Sequence, residues 1–114
     1  MRLNKYEDAK KSVLQVVKLN PKNAVGWMNL ALCEQALNNY GAALKGFNNS
    51  VEIDPLYYHA YNNRGILLCE LGRYEEAVTN FNKSLELSPN LLEALLNKAD
   101  ALKELKNFKD AHLC

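Results

Sequence analysis

No apolar run in this 114-residue chain approaches the ~20 residues that a membrane-spanning helix needs. The N-terminus, Met1-Arg2-Leu3-Asn4-Lys5, leads straight into charged sequence without the apolar core of a secretory leader. Net charge is nearly absent: 14 basic against 13 acidic residues leave +1, which argues against a general nucleic-acid binder. His59 and His112 are the only histidines, and no nucleophile, base and orienting group recur together. His112 and Cys114 lie two apart but lack the further ligands of a metal site. Gly65 and Gly72 do not form a phosphate-cradling loop. Neither catalysis, a cofactor nor a metal is therefore expected. Cys33, Cys69 and Cys114 make an odd set without a leader, which points to reduced thiols in a cytoplasmic setting.

Proline is equally scarce, and its placement is informative. Pro21, Pro55 and Pro89 are 34 residues apart, and matched columns repeat at that interval. Tyr6, Tyr40, Tyr74 and Phe108 form an aromatic column, and Ala9, Ala43, Ala77 and Ala111 a small one. Val13, Phe47 and Phe81 are bulky; Leu3, Leu37, Leu71 and Leu105 are apolar; Trp27, Tyr61 and Leu95 are large and apolar. A fixed period of this size marks stacked helical pairs in a solenoid, whose function lies on a long surface instead of in a buried pocket.

The spacing predicts first helices over Ala24–Leu37, Tyr58–Leu71 and Leu92–Leu105. It predicts second helices over Leu3–Leu19, Gly41–Ile53 and Glu75–Leu87, with a further one beginning near Lys109. Asn38-Asn39, Gly72-Arg73 and Lys106-Asn107 fall at the turns inside each pair, where glycine and asparagine tolerate the left-handed conformation. Asn20-Pro21, Asp54-Pro55 and Ser88-Pro89 end the second helices, because proline disfavours helical geometry in the residue before it. The expected organisation is one array: a partial repeat over 1–23, full repeats over 24–57 and 58–91, and a partial repeat over 92–114. Cys33 is expected in the core and Cys69 at the surface. Residues 1–23 carry six basic and two acidic groups, and Lys10, Lys11, Lys18 and Lys22 are expected on a solvated face.

The motif Trp27-x2-Leu30-Ala31, Ala43-x3-Phe47, Pro55 recurs as Tyr61-x2-Arg64-Gly65, Ala77-x3-Phe81, Pro89, then as Leu95-x2-Lys98-Ala99 up to Ala111. This pattern resembles the tetratricopeptide repeat family over essentially the whole chain. The resemblance implies an all-α fold, a right-handed superhelical solenoid of antiparallel helix pairs. Glu34, in a column with Leu68 and Leu102, departs from the pattern, as do Arg64 and Lys98 against Leu30; these positions are expected to be partly exposed.

In this family the first helices line a concave face that holds extended peptides or helices. Asn29, Asn63 and Asn97 share one column there. Helices ~8–10 Å apart match about three residues of extended chain, and an amide both donates and accepts, so such a ladder can grip a peptide backbone. It is similar to the asparagine ladder of O-linked N-acetylglucosamine transferases. Around it, Val25, Met28, Leu32 and Ala36 make the groove apolar in the first full repeat. His59, Asn62, Ile66 and Glu70 make it mixed, and Glu93, Leu96, Asp100, Lys103 and Glu104 make it mainly acidic. The implied partner has an apolar anchor at one end and a basic group at the other. Family members that grip acidic chaperone tails use lysine and arginine in these columns. Here the positions hold Met28, Asn29, Leu32, Asn62, Asn63, Glu93 and Asn97, so that mode is not expected.

The repeat phase implies that Leu14, Val17 and Val13 are poorly covered, at a cost of roughly 1.5–3 kcal/mol for each side chain left exposed. A segment of a longer repeat protein, or self-association through uncapped ends, follows from that. The function implied is a protein-interaction scaffold for a peptide or helix. The alternatives are the substrate-recruiting arm of a larger enzyme, such as a glycosyltransferase, and a self-assembling spacer.

Overall fold

The computed structural model describes residues 2–113 and places side chains over residues 5–109. Met1 and Cys114 lie outside the described residues, as do the side chains of Leu3, Ala111 and His112. The fold is all-α, with no strand among the described residues: α1 (Arg2–Leu19), α2 (Ala24–Ala36), α3 (Tyr40–Ile53), α4 (Tyr58–Glu70), α5 (Tyr74–Leu87) and α6 (Leu92–Leu113). The chain divides into two compact units, Met1–Ala60 and Tyr61–Cys114.

The boundaries follow local chemistry. The helices α1, α3 and α5 stop one residue before the Asn-Pro, Asp-Pro and Ser-Pro pairs. In the first two, the residue before proline also accepts a hydrogen bond from the backbone two residues on: Lys22 N–H to Asn20 Oδ1 at 3.3 Å and Leu56 N–H to Asp54 Oδ1 at 3.0 Å. Asn23 then caps α2, its Oδ1 accepting from the Gly26 N–H at 3.0 Å. The ends of α2 and α4 are closed by left-handed residues, Asn38 at φ 64° and Gly72 at φ 76°. Around them Asn39 N–H donates to the Glu34 carbonyl and Arg73 N–H to the Leu68 carbonyl, both at 2.8 Å, which terminates each helix in a Schellman motif.

The third turn does not form. Helix α6 runs unbroken for 22 residues through Lys106-Asn107, and no new helix begins near Lys109. Lys106 occupies the position of Asn38 and Gly72, and a lysine Cβ disfavours the left-handed conformation that those two adopt.

In the first unit α1 and α3 both pack on α2. Gly26 lets α1 approach: a Cβ there would lie 3.1 and 3.2 Å from the Cγ1 atoms of Val16 and Val17. Val17 is buried by this contact, and Val13 and Leu14 are half-buried, so α1 is better covered than the repeat phase implies. Gly46 brings α3 against α2, where a Cβ would lie 2.9 Å from the Ala31 Cβ and 3.1 Å from the Trp27 carbonyl. Ser50, fully buried, donates to the Ala24 carbonyl at 2.7 Å, and Trp27 Nε1 donates to the Pro21 carbonyl at 2.8 Å.

Glu34 is not partly exposed but buried. Its Oε1 takes the Lys10 ammonium at 3.0 Å and the Asn39 Nδ2 at 3.2 Å. Lys10 is therefore an ion-pairing residue and not part of a free basic face. Its hydrogen bond to Glu34 raises its pKa above the ordinary 10.5.

In the second unit α5 packs on α6, and Phe81 sits on α4 at Gly65, where a Cβ would meet the ring at 2.5 Å. Arg64 Nε donates to Asn80 Oδ1 at 2.7 Å, with the guanidinium 5.5 Å from the Tyr61 ring centroid. Asn80 anchors itself to the Glu76 carbonyl at 2.8 Å.

Two predictions follow from this packing. Gly65→Ala should lower stability in urea denaturation by about 1–3 kcal/mol through overpacking against Phe81. Gly41→Ala, with nothing within 4 Å of the added Cβ, should be neutral or raise it by up to about 1 kcal/mol. Equal effects of the two would remove the close-packing account of Gly65. The pair of Lys10 and Glu34 stabilises from neutral pH up to 10.5 and fades as the pH climbs through the raised Lys10 pKa. Lys10→Met should melt below wild type at neutral pH by about 1 kcal/mol, with the difference closing in alkali. A difference that is constant with pH would show that charge plays no part.

Candidate functional site

Within the second unit, α4 and α6 bring six sequence-identified residues onto adjoining helix faces. Asn62 and Ile66 lie one turn apart on α4, with Asn63 between them in sequence. Leu96 and Asp100 lie one turn apart on α6, beside Asn97. The Asn97 Nδ2 donates to the Asn62 Oδ1 at 3.2 Å, joining the two helices. Asn97, Asn63 and Ile66 are half-buried, whereas Leu96 and Asp100 are exposed.

The inter-helix amide contact does not follow the 34-residue register. The strict column places Asn63 opposite Asn97, but the hydrogen bond goes to Asn62, 35 residues away. Asn62 is only 1% exposed, and its Nδ2 has no hydrogen-bond partner. Leaving a buried amide hydrogen unpaired costs about 1–3 kcal/mol. Sequence spacing places Asn62 among the mixed groove residues and Asn63 in the asparagine column, but does not signal which of the two bonds to Asn97.

The remaining site residues belong to the first unit. Val25, Asn29 and Leu32 are exposed and share one face of α2. Met28, expected in the groove with them, is buried. Asn62, also expected in the groove, is likewise buried. His59 is exposed, edge-on to Tyr57 with centroids 6.0 Å apart and tilted against Tyr58 at 4.4 Å.

Cys33 is buried, as expected of a core position. Cys69 is half-buried instead of exposed. Burial, then the negative charges of Asp100 and Glu70, push its thiol pKa above 9.0. That thiol is therefore favoured in its protonated form, burial being the larger cause. Among the described residues no group of three or more His, Cys, Asp or Glu side chains is placed to hold a metal. No helix among them is long and apolar enough to cross a membrane.

A separate cleft of about 640 Å³ lies between the start of α5 and the end of α6, lined by Gly72, Tyr74, Leu105 and Phe108 with charged residues at its rim. It shares no residue with the asparagine face.

Tetratricopeptide repeat models match residues 1–57 and residues 58–91. The chain belongs to the tetratricopeptide repeat family. No curated protein gives a significant match. Among solved structures, the first tetratricopeptide domain of human RPAP3 is similar at TM-score 0.88 and 27% identity, covering 96% of this chain and 86% of that one. The first such domain of Spaghetti (RPAP3), bound to the HSP90 peptide SRMEEVD, gives 0.85 and 28%, covering 92% and 83%. The second domain of human RPAP3, in complex with the HSP70 peptide SGPTIEEVD, gives 0.79 and 26%, covering 86% and 82%. Against the lysine and arginine of acidic-tail grips, the tetratricopeptide columns here hold Met28, Asn29, Leu32, Asn62, Asn63, Glu93 and Asn97, none of them basic.

The half-buried Cys69 thiol yields a direct check. In a Cys33→Ala, Cys114→Ser background, the pH profile of Cys69 alkylation by iodoacetamide should inflect above 9.0, and Asp100→Asn should move the inflection down. An inflection below 9.0 would contradict the burial and charge assigned to this thiol.

Proposed function

We propose that this chain is a non-catalytic protein-interaction module that binds an extended peptide on the face of α4 and α6, with preference for a basic side chain beside an apolar one. The hydrogen-bonded asparagines at the α4–α6 junction carry the reading. Amides donate and accept, so they suit a peptide backbone irrespective of its side chains. Ile66 and Leu96 supply apolar contact on either side. Asp100, Glu93 and Glu104 are exposed along α6, where Lys103 is exposed and Lys98 half-buried, so acidic side chains outnumber basic ones along this stretch. The negative potential felt by Cys69 from Asp100 and Glu70 is consistent with that.

Similarity to domains solved with HSP90 and HSP70 peptides supports a peptide as the partner class. Both of those peptides end in acidic sequence, which an acidic rim repels. The family's mode of binding is thus proposed here with the opposite charge preference.

The test is a peptide array that includes SRMEEVD and its lysine-for-glutamate version SRMKKVD, followed by fluorescence polarisation. SRMKKVD should bind more tightly than SRMEEVD by about fivefold or more at low ionic strength, and the difference should shrink as salt rises. The reverse order would overturn the charge preference. An array without any bound peptide would overturn the function.

A further inference from the structure

Packing and solvation do not explain the buried amide of Asn62. The same column holds Met28 and Leu96, so the repeat accepts an apolar side chain at this position. Met28 is buried much as Asn62 is. A polar side chain here adds nothing that packing requires. It makes one hydrogen bond, from Asn97, and leaves its Nδ2 unpaired and shielded from solvent. Buried polar atoms are nearly always paired in folded proteins, and exceptions concentrate where a ligand completes them.

We propose that Asn62 reads the backbone of the bound peptide: its leftover amide hydrogen is held for a carbonyl of an extended chain. Half-buried Asn97 is the side chain that turns aside to admit it. This rests on the peptide-binding reading above and names a residue outside the asparagine column at 29, 63 and 97 that carries it. Extended peptide is the ligand class that fits best, because turning both amides over exchanges the leftover hydrogen for a leftover oxygen. A backbone presents carbonyl and N–H groups in alternation and satisfies either. On engagement the Asn97 amide exchanges its bond to Asn62 for one to the peptide, and a peptide N–H takes its place on the Asn62 Oδ1, so neither end of the buried amide is left unpaired.

The experiment compares wild type with Asn62→Leu and Asn62→Met, the second drawn from the chain's own column. Thermal midpoints are measured first, then affinity for labelled SRMKKVD. The expected result is a midpoint equal to or above wild type in at least one variant, with affinity lower by about fivefold or more. In wild type, the side-chain amide signals of Asn62 and Asn97 should both shift in nitrogen-edited NMR spectra as SRMKKVD is added. Affinity within twofold of wild type in a folded variant, or an Asn62 signal that stays in place while the peptide binds, overturns the proposal and leaves Asn62 a structural residue. If wild type itself does not bind SRMKKVD, the preference for basic peptide falls, and this inference falls with it.

Discussion

The Phe81 ring occupies the space that a Cβ on Gly65 would need, and the approach of α5 to α4 depends on that contact. It draws α5 against α4 at the middle of both helices. Phe81 and Ala77 are fully buried, so the approach is set by side-chain volume and leaves little freedom to slide. Helix α5 in turn packs on α6. Asn62, three residues before Gly65, is thereby presented to Asn97 at 3.2 Å. The first unit uses the same device in a different place, with Gly46 against Ala31. Small residues thus decide how closely helices meet, and the candidate site inherits its geometry from them.

Polar departures from the apolar pattern are compensated locally. In the first full repeat Leu30 is paired in register with Gly46; in the second, the same columns hold Arg64 and Asn80, which hydrogen-bond to each other. The longer polar side chain and its partner replace an apolar residue and a gap. Glu34 stands where other repeats have Leu68 and Leu102, and it is satisfied by Lys10 and Asn39. A buried carboxylate without those partners would be strongly unfavourable. Asn62 is the exception to this rule of compensation, and that contrast is what singles it out.

Much of the fold was legible in the chain itself. Proline pairs stop helices because of their own sterics, and Asn38 and Gly72 turn because of theirs, so those boundaries depend on few residues. The third turn misled for the same reason: its columns matched, but Lys106 lacks the conformational tolerance that the turn requires. Side-chain environments were less legible. Met28, Glu34, Val17 and Cys69 are all more buried than their columns suggested. Burial is set by which neighbour covers a face, and a column averages over repeats whose neighbours differ.

Periodicity alone therefore determined the all-α class, the limits of the first five helices and the asparagine column, since these follow from backbone sterics and from a pattern repeated in one dimension. Only tertiary structure decided that Asn97 reaches Asn62 instead of Asn63, that Lys10 finds Glu34, and that one buried amide is left over. Those outcomes turn on helix rotation and on distances of a few tenths of an ångström, which packing volumes set and residue spacing does not.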